Sequence, residues 1–333
     1  MKTFRLLTAL TLGTLLWGCA ESGKKAEGPF YIDIESRAQL HDWFRYAPER
    51  PIVVSGHRGG MMPGYPENCI ESCEKTLSMM PTFFEIDFSF TRDSVMVLMH
   101  DLTLDRTTTG KGRVADYTYE ELRRLNLVDR DRNVTPYKIP RLKDVLEWGK
   151  DKVVFNFDNK YINTKGVSDE VRRASLDYYI RQLRPGGEWS MYHNIMLSVR
   201  SIEEALYYWN HGIRNVMFCV EISSMEHFRA YEASPIPWKY IMAYIRLAVN
   251  PELQQVYDLL HAEGVMTMTS ITGSSDKVRI PTTAAWPTCA NCWPNPTSSR
   301  PTIPPNSSAC RGRATRSTPC RTPPSAATEP PPT

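Results

Sequence analysis

Five residues between positions 52 and 101 have types and spacing that could do chemistry: adjacent His57 and Arg58, Glu85 and Asp87 two apart, and His100. Each lies at the end of an apolar run, where an α/β protein carries its reactive groups. In Glu85-Ile86-Asp87 the period-two alternation of a strand sends both carboxylates to one face. Two like charges that close call for a cation between them. All-oxygen ligation favours one hard divalent ion, Mg2+ or Ca2+, over zinc. An arginine beside a histidine suits an anionic substrate, gripped by the guanidinium while imidazoles move protons. Together these groups point to phosphoryl chemistry. Taken singly, each has a plainer reading: Glu-x-Asp is usually a solvated strand face and His-Arg usually nothing. Their joint occurrence marks a site.

The elements that must position these groups follow from periodicity. Strand-like apolar runs occur at 52–55, 83–88, 95–99, 153–157, 195–199, 216–222, 240–245 and 265–269, with helical stretches between them. Asn68 can cap a helix whose stripe is Ile70, Cys73 and Leu77. Thr118-x-x-Glu121, Ser201-x-x-Glu204 and Ser223-x-x-Glu226 have capping-box spacing. Asn250-Pro251 opens a further helix and Gly264 closes it. Strand and helix alternating at this pitch predict a parallel barrel. Only Thr91 to Ser94 separate the runs ending at Phe90 and beginning at Val95, too few residues for a parallel crossover, so that pair forms an antiparallel hairpin that returns His100 to the acidic pair. Seven barrel strands remain.

Gly56-His57-Arg58-Gly59, Pro66-Glu67-Asn68, Glu85-Ile86-Asp87, His100-Asp101 and the block from Leu104 to Gly110, in this order and spacing, resemble the glycerophosphodiester phosphodiesterase family over residues 51–279. The resemblance implies an α/β fold, a (β/α)8 TIM-type barrel of the phospholipase C-like phosphodiesterase kind, with a β-hairpin insertion after strand 2 and the last strand missing. It also implies metal-dependent hydrolysis of glycerophosphodiesters to an alcohol and sn-glycerol 3-phosphate. Glu85 and Asp87 are then joined as metal ligands by Asp158, which stands where the family pattern Glu-x-Lys has glutamate. Asp158 is one methylene shorter, and a helix-capping role is its alternative. Lys160 and Arg58 bind the phosphate, Glu67 and Asn68 support them, and Glu67 orients Arg58 or lies near the metal. His57 and His100 share the acid and base roles in an attack by the glycerol 2-hydroxyl through a cyclic phosphate, and which does which is left open. Alternatives are a phospholipase D-like or phosphoinositol-type diesterase on lipids, and a catalytically dead binding lipoprotein.

Residues 1–19 carry Lys2 and Arg5, an apolar run and Leu16-Trp17-Gly18-Cys19, an export signal too short to span a membrane. The ending resembles a bacterial lipobox, which implies lipidation of Cys19 and anchorage in the bacterial cell envelope. Residues 20–50 form a tether and lead-in. Residues 280–333 hold thirteen of the twenty-five Pro and four of the eight Cys, with no hydrophobic period. They read as a disordered tail or, better, as out-of-frame text. Shifted by two bases from within Thr282, synonymous codon choices give DRRLAYLRELLAQPDIIETDYP, a helix and strand similar to the family's closing pair. The tail's five Arg and one Glu leave −1 for residues 1–279 out of the chain's +3, so basicity argues for no nucleic-acid partner. No obligate protein partner is evident. Cys289-x-x-Cys292 lacks a partner pair for a metal site. Cys69, Cys73 and Cys219 read as small apolar residues. His41, His193, His211, His227 and His261 read as surface or packing residues. Arg200 and Arg246 end strands, facing either the mouth or a core-edge ion pair.

Overall fold

The computed structural model describes residues 30–50, 52–159, 167–247 and 251–270. Among these described residues seven parallel strands form one curved sheet: β1 (Val54–Gly56), β2 (Thr82–Phe90), β4 (Phe155–Asp158), β5 (Ile195–Val199), β6 (Met217–Glu221), β7 (Ile241–Leu247) and β8 (Thr267–Ser270). They are hydrogen-bonded in sequence order, as right-handed strand–helix–strand units require. β3 (Met96–Leu98) leaves that path and pairs antiparallel with β2, Phe88 opposite Leu98 and Phe90 opposite Met96. The expected hairpin and count of seven barrel strands are both present, and element ends differ from the sequence reading by one or two residues.

The helices are α1 (Arg37–Trp43), α2 (Ile70–Leu77), α3 (Tyr119–Leu122), α4 (Leu142–Gly149), α5 (Asp169–Leu183), α6 (Ile202–Asn210), α7 (Met225–Glu232) and α8 (Gln254–Ala262). Thr118 and Glu121 complete the reciprocal capping box. At α6, Ser201 accepts from the Glu204 N–H, but the Glu204 carboxylate turns to the backbone N–H of Arg200. Two expected caps are displaced. Ser224, not Ser223, caps α7. Asn68 does not cap α2, whose N-cap position is Cys69 and carries no side-chain cap, because the Asn68 amide is held by Asp87 instead.

Alternation along the strands divides the core in two. Phe84, Ile86, Phe155, Phe157, Leu197 and Phe218 face outward under the helices. Phe83, Val154, Met196, Met217 and Met242 face inward, packed with Phe44 and Leu40 of the lead-in. The floor of the barrel is thus apolar and rich in unbranched Met, which fills irregular space. Two residues further along β2, β4 and β5 the interior turns polar, where Ser198 donates to Asn156 across 3.1 Å, and the carboxyl ends carry charge. A satellite cluster of Val97, Met99, Leu104, Val114, Leu122 and Leu127 supports the insertion between β3 and α4. Cys69, Cys73 and Cys219 are buried free thiols, as expected. His41, His211 and His261 bond to Val216, Tyr207 and Thr267.

Candidate active site

Register assembles the acidic group. In the parallel β2–β4 pair Asp87 lies level with Asp158 and Glu85 with Asn156, so Glu85, Asp87 and Asp158 converge at the carboxyl ends of adjacent strands. One oxygen from each can be chosen so that all lie within 4.8 Å of one another. Asp87 is fully buried and Asp158 nearly so. Three carboxylate oxygens at this spacing fit one hard cation with metal–oxygen distances of about 2.0–2.6 Å. The aspartate at 158 therefore reaches the group despite its shorter side chain.

A tight turn brings His57 and Arg58 over this group. β1 ends at Gly56, where a Cβ would meet the Phe84 ring at 2.6 Å. The chain then turns through His57–Gly59, with Arg58 left-handed at φ 52°. Asn68 is left-handed too, at φ 54°, and its N–H donates to the Arg58 carbonyl at 2.8 Å. Two non-glycine residues in this region hold strain that the surrounding bonds must offset. Those bonds are visible: the Arg58 N–H donates to Glu85 at 3.0 Å, and the Asn68 amide both donates to Asp87 at 2.9 Å and accepts from the Asp87 N–H at 3.1 Å. Asn68 thus orients a carboxylate of the acidic group. His57 Nε2 lies 3.9 Å from Glu85, with half of the imidazole exposed.

The guanidinium of Arg58 donates to both oxygens of Glu67, at 3.2 and 3.3 Å, and its Nε lies 3.8 Å from Asp87. Glu67 orients Arg58, one of the two roles foreseen for it. Arg106, quoted in a motif block but given no role from sequence, grips the same carboxylate through two bonds of 2.7 Å and Asp101 through bonds of 2.6 and 3.0 Å. Asp101 in turn meets His100 Nδ1 at 2.6 Å. An acidic partner there makes Nδ1 the protonated nitrogen and leaves Nε2 for chemistry. The Met99 N–H donates to the Asp87 carbonyl, so the chain just before His100 runs beside the Asp87 backbone.

The electrostatics follow from these contacts. Burial works to raise the Glu67 pKa, but the bonds and charges of Arg106 and Arg58 outweigh it and hold it below its ordinary value. Asp101 is held well below the usual carboxylate range, first by the bond with His100, against the cost of its burial, and then by Arg106. Both acids are ionised at neutral pH. Across the mouth, Arg200 donates to both oxygens of Asp158, at 3.2 and 3.3 Å, and Arg246 pairs with Glu221. Both arginines are thus at the mouth and in ion pairs at once. Burial drives the Glu204 carboxyl up to about 7. Trp189 and Tyr208 are buried in the core. Lys160 and Cys19 lie outside the described residues, as do the signal segment, Cys289, Cys292 and the tail from 280. Among the described residues no helix is long and apolar enough to cross a membrane.

Residues 57–203 match the family model of the Glycerophosphoryl diester phosphodiesterase family. A solved glycerophosphoryl diester phosphodiesterase from Parabacteroides distasonis is 38% identical, with TM-score 0.65, covering 76% of this chain and 84% of that one. Glycerophosphodiester phosphodiesterase 1 of Mus musculus is 40% identical over 136 residues, 40% of this chain and 39% of the relative. A glycerophosphodiester phosphodiesterase of Bacillus subtilis is 35% identical over 130 residues, 36% of this chain and 41% of the relative. The chain thus spans about two fifths of the length of these curated relatives.

Proposed function

This chain belongs to the glycerophosphoryl diester phosphodiesterase family, and from that premise we propose that it hydrolyses glycerophosphodiesters to an alcohol and sn-glycerol 3-phosphate with the help of one divalent cation. The observation that carries the reading is the convergence of Glu85, Asp87 and Asp158 oxygens within 4.8 Å beside Arg58 and His57. Their all-oxygen donor set suits Mg2+ or Ca2+. When bound there, such an ion supplies Lewis-acid stabilisation of a phosphoryl oxygen.

The chain's own residues do the rest. Arg58, held in place by Glu67, presents a guanidinium to a second phosphoryl oxygen, where charge grows as the nucleophile adds. Lys160 adds a further positive group. The glycerol 2-hydroxyl lies close enough to phosphorus in the substrate itself to attack it, once a base removes its proton, and the departing alcohol must receive one. His57 and His100 carry these two proton transfers, and His100 is held ready by Asp101 on the far side of its ring. Water then opens the cyclic phosphate with the roles reversed. Export and lipid attachment through Cys19 would place this reaction at the bacterial cell envelope, on substrates left by phospholipid breakdown.

Release of glycerol phosphate from glycerophosphocholine and glycerophosphoethanolamine, with and without EDTA, tests the reading. His57→Ala and His100→Ala should each abolish turnover while melting normally. Near-normal rates in both variants, or activity indifferent to EDTA, overturn it. Activity on intact lipids alone points to the lipid diesterase, and none anywhere to a binding protein.

A further inference from the structure

Arg200 stands at the mouth without a place in the chemistry above. It follows β5 directly, its backbone N–H is tied to Glu204 at 3.0 Å, and its side chain, 54% exposed, reaches sideways to donate to both oxygens of Asp158. Asp158 is one of the three carboxylates assigned to the cation, so a guanidinium and a divalent ion address the same group.

The local charge tally shows the effect. Glu85, Asp87 and Asp158 bring three negative charges within 4.8 Å. Arg58 lies 3.8 Å from Asp87 and Arg200 3.2 Å from Asp158. Carboxylates at that spacing repel an anionic diester. A divalent ion among them adds two positive charges to the same mouth and so favours one. The guanidinium is half exposed, so water can solvate it when the buried carboxylate passes to the ion.

We propose that Arg200 is an internal stand-in for the cation: it neutralises Asp158 in the metal-free protein, yields that carboxylate to the ion, and then turns its guanidinium to the phosphate of the substrate. The inference rests on the proposed cation-dependent diesterase reading and deepens it, since Arg200 would make substrate affinity conditional on metal loading. An arginine that instead props Asp158 in the ligating pose would have the opposite effect on metal affinity, and this contrast sets the test.

The full chain, stripped with EDTA, is titrated with Mg2+ and with Ca2+ by calorimetry, as wild type, Arg200→Gln and Arg200→Lys. Removal of the competing charge should tighten cation binding about threefold or more in R200Q and lower the melting temperature of the metal-free form. At saturating metal, R200Q should raise KM for glycerophosphocholine about tenfold, with a smaller change in kcat. R200K keeps the charge but not the two-pronged reach. It should show smaller shifts in the same directions, and it carries the test should R200Q not fold. Cation binding that is unchanged or weaker in the folded variants overturns the stand-in role while leaving the diesterase reading intact. A wild type that binds neither ion overturns both.

Discussion

Arg106 joins both halves of the mouth through four hydrogen bonds. With one edge it fixes Asp101, and through it the His100 imidazole; with the other it fixes Glu67, and through it Arg58. It touches neither the acidic trio nor, in the proposed reaction, the phosphate, so its effect is one of positioning. Loss of an outer partner of this kind typically lowers activity 10–100-fold. Arg106→Gln is accordingly expected to reduce kcat by about that factor, with Arg106→Lys intermediate. A variant with an unaltered kcat would reduce Arg106 to surface packing. The motif blocks contain Asp101 and Arg106, yet their types do not say which acid either will meet: a guanidinium reaches any carboxylate within its length.

The junction of β5 with α6 shows how an element end tunes the site. Ser201 caps α6, and Glu204, buried beside it, accepts from the Arg200 N–H. Burial raises the Glu204 carboxyl to about 7, with Asp158 adding to the rise and Arg200 opposing it. A folded-state pKa above the unfolded value contributes stability that is fully present below about pH 4.5 and is lost as pH rises through about 7. The shift corresponds to a contribution on the order of 3 kcal/mol. Glu204→Gln removes this titration, so melting temperatures of variant and wild type should diverge in favour of the variant between pH 5 and pH 8. A constant or reversed gap would refute the burial account. The Ser-x-x-Glu spacing located this helix start, but a capping box would have left Glu204 on the Ser201 N–H. The Arg200 N–H took its carboxylate instead.

At the scale of the whole molecule, the sheet of described residues runs from β1 to β8 without a strand that joins its two ends. An open edge of this kind invites pairing with other chains, and closure removes it. If the text beyond residue 280 is out of frame, the closing strand is the part it has lost. A chain with the phase restored from Thr282 should then be more soluble and melt higher than the chain as written, and equal behaviour of the two would count against the missing strand. Sequencing of the DNA around the Arg279 codon checks the same point directly.

Local pattern alone determined the barrel class, the hairpin after β2, and the set of His57, Arg58, Glu85, Asp87 and His100, because alternation and connection length are properties of a short stretch of chain. Asp158 and Glu67 came from family likeness rather than from pattern. Tertiary structure alone decided that Asp158 is level with Asp87, that Asn68 serves a carboxylate instead of a helix end, and that Arg106 and Arg200 reach the acids they do. Those facts depend on which strand neighbours which and in what register, and residues tens of positions apart settle that only by packing together.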